Sequence, residues 1–157
     1  MEIALYQPDI APNVGTLMRL GACLGAAVHI IEPCGFPFGA KDLRRAVMDY
    51  KDLADVTRHI SWEAFTAATE GQRKILLTTR AAISHTEFEF EDTDILLLGR
   101  ESAGVPEEVH QNVDGRVVIP MQSGARSINV ALSASMVLGE ALRQTNGYPI
   151  IAKAKET

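Results

Sequence analysis

Five short runs of this chain are apolar with little interruption: Ile3–Tyr6, Val28–Ile31, Lys74–Thr79, Asp94–Leu98 and Arg116–Ile119. A strand with one wet face alternates apolar and polar residues, whereas a strand covered on both faces does not. These runs therefore read as buried strands of a parallel sheet, with Asp55–Arg58 as a briefer addition. Helical segments fall between them. Asn13 is suited to cap a helix over Val14–Leu24 that Gly25 stops, and Lys41–Met48 can form a short helix. Ser61 caps a helix to about Thr69 with Glu63 in its first turn, and Pro106 opens one to Gln111. Ser127–Gln144 forms the last. Strands alternating with helices predict an α/β fold, a mostly parallel sheet with helices on both faces.

A length of 157 residues fits one domain, 1–157, and 46% hydrophobic with 22% charged residues suits an ordinary globular core. The start, Met1–Pro8, lacks a basic segment followed by a long apolar one, so no signal peptide is expected. No run approaches the roughly 20 apolar residues that span a bilayer, and a cytoplasmic protein is expected. Cys23 and Cys34 lack Cys-x-x-Cys spacing and the four histidines are scattered, so neither a metal site nor a disulfide is expected. Cys23 should pack, and Cys34, in a Pro–Gly loop, should be the more open of the two.

A net charge of −5 argues against sequence-blind binding of polyanions, which needs a broad basic surface. Any nucleic-acid contact must be local, from Lys41, Arg44, Arg45 and Lys51 or from Arg19, Arg100 and Arg126. A solvated helix face explains Lys41–Arg45 equally well. The last helix carries apolar residues round most of its circumference, among them Ile128, Leu132, Met136 and Leu138. Such a helix is buried on more than one side, and a homodimer is the expected cover, with burial under the chain's own loops as the alternative.

Three strand ends run into loops able to hold a ligand: Asn13 to Arg19, Gly99 to Pro106, and Ile119–Met121 on to Asn129. In α/β proteins ligands bind outside the carboxyl ends of parallel strands. Gly99 and Gly104 let backbone approach a ligand closely, although a plain tight turn accounts for them as well. Pro120 removes one backbone donor where its strand ends. An arginine near a helix start suits a phosphate or carboxylate, with a surface ion pair as the alternative. Together these loops suggest an anionic or nucleotide-like ligand.

The segments Pro8–Gly15 with Arg19, His29–Pro33 with Gly35-Phe36, and Leu43–Ala46 with Asp49-Tyr50 resemble the small SPOUT methyltransferases that modify the tRNA wobble nucleotide. Gly99–Pro106 is similar to that family's second motif, and Ile119–Met121 with Ser127 and Asn129 to its third. The resemblance covers essentially the whole chain and leaves no separate RNA-binding domain. It implies an α/β knot, a homodimer, S-adenosyl-L-methionine as cofactor and methyl transfer to a ribose 2'-hydroxyl in the tRNA anticodon loop. Carried onto this chain, it implies cofactor contacts at Leu77, Gly99, Ile119, Met121 and Ser127. Arg19 becomes the catalytic group, Asn13, Glu101 and Asn129 orient the nucleotide, and Lys41, Arg44, Arg45, Arg100 and Arg126 meet RNA. A guanidinium has no acceptor, so Arg19 is read as stabilising the developing alkoxide rather than as a base.

The chain departs from the family pattern in its third motif. Gly139 stands where relatives often carry Tyr, and Ala131-Leu132 replaces a more polar pair. Tyr148 or Phe36 is the candidate to compensate for the missing ring, since splayed bases are commonly held by stacking. A non-catalytic RNA or nucleotide-binding module of the same fold is the alternative. A nicotinamide dehydrogenase is disfavoured, because no Gly-x-Gly-x-x-Gly follows a strand.

Overall fold

The computed structural model describes residues 1–37, 50 and 54–151. Six strands, β1 (Glu2–Tyr6), β2 (Ala27–Ile31), β3 (Val56–His59), β4 (Lys74–Leu77), β5 (Ile95–Leu98) and β6 (Gly115–Val117), form one sheet. Its order is β3-β2-β1-β5-β4-β6, and every pairing is parallel. The described helices are α1 (Ala11–Leu24), α2 (Trp62–Ala68), α3 (Glu107–Gln111) and α4 (Val130–Thr145). The expected helix over Lys41–Met48 lies outside the described residues.

The two faces follow from strand parity, because successive side chains point to opposite sides. Ile3, Leu5, Val28, Ile30, Ile75, Leu96 and Leu98 pack against Leu17 and Met18 of α1 and Val137 and Leu138 of α4. Their neighbours Ala4, Tyr6, Ile31, Leu76, Ile95 and Leu97 pack against Phe65 of α2 and Val109 of α3. Helices thus cover both faces, as the unbroken apolar runs predict. Each fully buried side chain of this size stabilises the fold by roughly 1.5–3 kcal/mol relative to exposure.

Several boundaries differ from expectation. α1 begins at Ala11 rather than Val14, with Pro12 in a first turn where a missing N–H costs nothing. Asn13 is therefore inside the helix, not its cap. α4 begins at Val130 rather than Ser127: Asn129 caps it, its side-chain oxygen accepting from Ala131 N at 2.9 Å and Leu132 N at 3.3 Å. Ser61 caps α2 as expected, accepting from Ala64 N at 3.2 Å. The cysteines reverse their expected environments. Cys23 is exposed on α1, whereas Cys34 is half-buried, its thiol pushed up to about 11 by burial and then by Glu32. Among the described residues, no helix is long and apolar enough to cross a membrane.

Candidate active site

The sheet order places β1 beside β5, and the chain leaves β1 for β2 on one side and β5 for β6 on the other, so the topological switch lies between them. At such a point the loops leaving adjacent strands diverge and open a crevice. A cleft of about 570 Å³ lies there, a size typical of ligand sites. Its wall includes Leu77, Gly99, Ile119, Met121 and Ser127, together with Asn13, Glu101, Asn129 and Arg100. Nine of the residues singled out from sequence thus meet at one surface.

Hydrogen bonds join the three loops in series. Asn129 Nδ2 donates to Asn13 Oδ1 at 3.1 Å, and Asn13 Nδ2 donates to Glu101 Oε1 at 2.9 Å. The other carboxylate oxygen of Glu101 accepts from Asp9 N at 2.8 Å. Asp9 answers across the same gap, its Oδ2 accepting from Ser102 N at 3.1 Å and from the Ser102 hydroxyl. The Ser102 hydroxyl, then its amide, holds the Asp9 carboxyl below its ordinary value, with the charge of Arg100 adding to this. Asn13 can play this part because it is a helix-interior residue facing the cleft.

The second loop is closed on itself. Arg100 and Gly104 exchange backbone hydrogen bonds at 3.0 and 2.9 Å, and Gly104 adopts φ 65°. A Cβ at Gly99 would lie 2.6 Å from the Gly104 carbonyl carbon, so only glycine permits this approach. The Arg100 guanidinium lies 5.6 Å from the centre of the Tyr6 ring. On the rim, Arg80 pairs with Glu107 at 3.0 Å.

Arg19 and Arg126 do not line the cleft; both are exposed. Arg19 stands six residues beyond Asn13, roughly 9 Å along α1, and its guanidinium lies 4.8 Å over the Tyr50 ring. Lys41, Arg44 and Arg45 lie outside the described residues. Tyr148 donates its hydroxyl to Gly139 O at 3.2 Å, and a Cβ at Gly139 would come within 3.0 Å of that hydroxyl. The tyrosine thus lies over the position where the helix lacks a side chain, while Phe36 is partly buried and packs against the core. Asp9 and Ser102 lie inside the Pro8–Gly15 and Gly99–Pro106 motifs but were given no role from sequence, and His110 lies outside them.

Among the described residues no cluster of His, Cys, Asp or Glu could hold a metal ion. Three buried side-chain polar atoms there lack a partner, and two of them, Arg100 Nε and His110 Nε2, belong to residues lining the cleft. With its glycine-backed loop, apolar strand ends and unpartnered polar atoms, the cleft fits a nucleoside-bearing ligand.

Residues 1–139 match the SpoU rRNA Methylase family. A protein of Ancylobacter novellus named tRNA (cytidine(34)-2'-O)-methyltransferase is 57% identical over 150 residues, 94% of this chain and 95% of its own. A solved structure described as "Structural insights into the 2-OH methylation of C/U34 on tRNA" superposes with TM-score 0.87 at 38% identity, covering 91% of this chain and 94% of that one. The SpoU methyltransferase AviRb from Streptomyces viridochromogenes, in complex with the cofactor AdoMet, gives TM-score 0.79 at 25% identity over 92% of this chain and 60% of that one.

Proposed function

Since the chain belongs to the SpoU rRNA Methylase family, we propose that it is an S-adenosylmethionine-dependent tRNA methyltransferase acting on the ribose 2'-hydroxyl of cytidine or uridine at wobble position 34. The observation that carries this reading is the Asn129–Asn13–Glu101 series, which ties three distant loops round one cleft at the switch point. The names of the relatives supply the reaction and the substrate. S-adenosylmethionine, when bound, supplies a methyl group carried on a sulfonium.

In this reading Leu77, Gly99, Ile119, Met121 and Ser127 hold the cofactor. Asn13, Glu101 and Asn129 orient the target nucleotide from a preformed hydrogen-bonded frame. Preorganisation of this kind can remove several kcal/mol of the barrier, roughly 7–11 in ideal cases, since aligned reactants avoid an entropic cost. Arg100 and Arg126, with Lys41, Arg44 and Arg45, contact the anticodon loop. Arg19 stabilises the developing alkoxide, and the proton leaves through an RNA phosphate or water. The chain is a single domain with its carboxyl-terminal part knotted as in SPOUT proteins, and it works in the cytoplasm.

Arg19 is exposed and stands well along α1 from the cleft, so it serves the cleft of a second copy. The apolar surface supports this arrangement. Ile10, Leu132 and Met136 are 43%, 59% and 45% exposed on and beside α1 and α4, and a homodimer through these helices covers them.

Incubation with methyl-labelled cofactor and tRNA labels the wobble ribose, and Arg19→Ala lowers the rate by roughly 10²–10³-fold, the usual loss for one transition-state donor. Mixing Arg19→Ala protomers with Glu101→Ala protomers restores about a quarter of wild-type activity if the arginine acts across a two-fold interface. Mixtures that stay inactive assign Arg19 to its own subunit's cleft; label elsewhere than the wobble ribose overturns the substrate.

A further inference from the structure

His110 stands out because nothing in the relay just described uses it, yet it lines the cleft with a buried ring nitrogen, Nε2, that has no partner. Leaving such an atom unpaired costs roughly 1–3 kcal/mol, a penalty that an occupant of the cleft removes. The backbone that carries the ring is also held in place. His110 N donates to Pro106 O at 2.9 Å, its carbonyl accepts from Arg116 Nε at 2.8 Å, and the adjoining Val109 is 2% exposed in the core. A rigidly mounted, unpaired heteroatom is the pattern of a recognition group.

The neighbourhood indicates which part of a ligand it meets. α3 covers the face of the sheet opposite α1 and α4, so His110 approaches the cleft from the side away from Asn13 and Asn129. On its side the wall is formed by Leu76 and Val105, with Val117 on the other face, and together they suit a flat apolar ring. Arg80, the cation on the rim beside α3, is already paired with Glu107, and the Arg100 guanidinium lies over the Tyr6 ring. A purine edge offers both donors and acceptors, and either tautomer of a neutral imidazole finds a match on it.

We infer that His110 binds the adenine base of the methyl donor, its Nε2 hydrogen-bonding the purine edge while Leu76, Val105 and Val117 flank the ring. This rests on the cofactor assignment above. It adds to that assignment a base-reading residue on α3, outside all three signature loops.

Calorimetry with two probes tests it: S-adenosylhomocysteine, and 5'-methylthioadenosine, which keeps the nucleoside and lacks the amino-acid group. His110→Phe, which keeps a ring and loses the nitrogens, weakens both ligands by the same factor, roughly 5- to 50-fold. In wild-type protein carrying 15N-histidine, the His110 Nε2 resonance moves when S-adenosylhomocysteine is added, a readout that also serves if the variant fails to fold. Unchanged affinities with an unmoved resonance overturn the inference and leave the cofactor assignment intact. A penalty for S-adenosylhomocysteine alone also overturns it, since His110 then meets the amino-acid end. Failure of the wild-type protein to take up S-adenosylhomocysteine instead brings down the cofactor assignment itself.

Discussion

Beneath α2 the partly buried polar side chains bond one another, whereas at the cleft two polar atoms have nothing to bond. In the first region Glu2 Oε2 meets His29 Nε2 at 2.6 Å, His29 Nδ1 meets His59 Nε2 at 2.9 Å, and Gln72 Nε2 donates to Glu2 Oε1 at 3.2 Å. Both imidazoles pack on Phe65, with ring centres 5.6 and 5.3 Å away. In the second, Asn129, Asn13, Glu101 and Asp9 bond in series, yet Arg100 Nε and His110 Nε2 beside them stay unpaired. A fully satisfied polar network rigidifies a fold, whereas a buried polar atom left without a partner is costly and calls for one. On that basis the histidine pair, despite its catalytic look, belongs to the scaffold.

Substitutions that separate stability from activity test this division. The largest effect is expected from Phe65→Ala, which empties a fully buried site under the histidines. It should cost about 3–5 kcal/mol in chemical denaturation and leave the turnover of the folded fraction unchanged. A matching fall in turnover would show that the two regions are coupled. Glu101→Ala removes the acceptor of both Asp9 N and Asn13 Nδ2. It should cost about 1–3 kcal/mol, with methyl transfer falling much further than the folded population does. Equal losses would make Glu101 another scaffold residue.

The smallest effect concerns pH. Burial, and then the neighbouring His29, lower the affinity of His59 for a proton. His29 in turn faces the Glu2 carboxylate. Because the unfolded chain binds that proton near pH 6.5 and the folded one only at lower pH, the stability His59 confers is intact above 6.5 and is lost as pH falls through the folded value. His59→Gln should flatten the decline of the urea midpoint between about pH 7 and 5. Methyl transfer per folded molecule should show no such difference between variant and parent.

Much of the sheet was readable because burial on both faces leaves a local mark, a continuous apolar run, and parity then assigns each residue to a face. The loops were readable as strand ends. Their partners were not, since Asn13 and Glu101 are 88 positions apart and Asn129 and Asn13 are 116 apart. Local signals also misled where two residues share the same chemistry. Ser127 and Asn129 both suit a helix start, and only the backbone of the folded chain decides for Asn129. Asn13 looked like a cap for the same reason, although Pro12 lets the helix begin earlier. His110, amid Glu107, Glu108 and Gln111, reads as part of a solvated face until the neighbouring strand ends are in place.

The return of Tyr148 onto Gly139 has a practical consequence for anyone trimming this protein. The segment after α4 looks dispensable, yet cutting before residue 148 would strip an aromatic cover from the middle of the last helix. Grafting tyrosine onto position 139 would set two bulky groups competing for one niche. Making residue 148 small in the same step should relieve that competition.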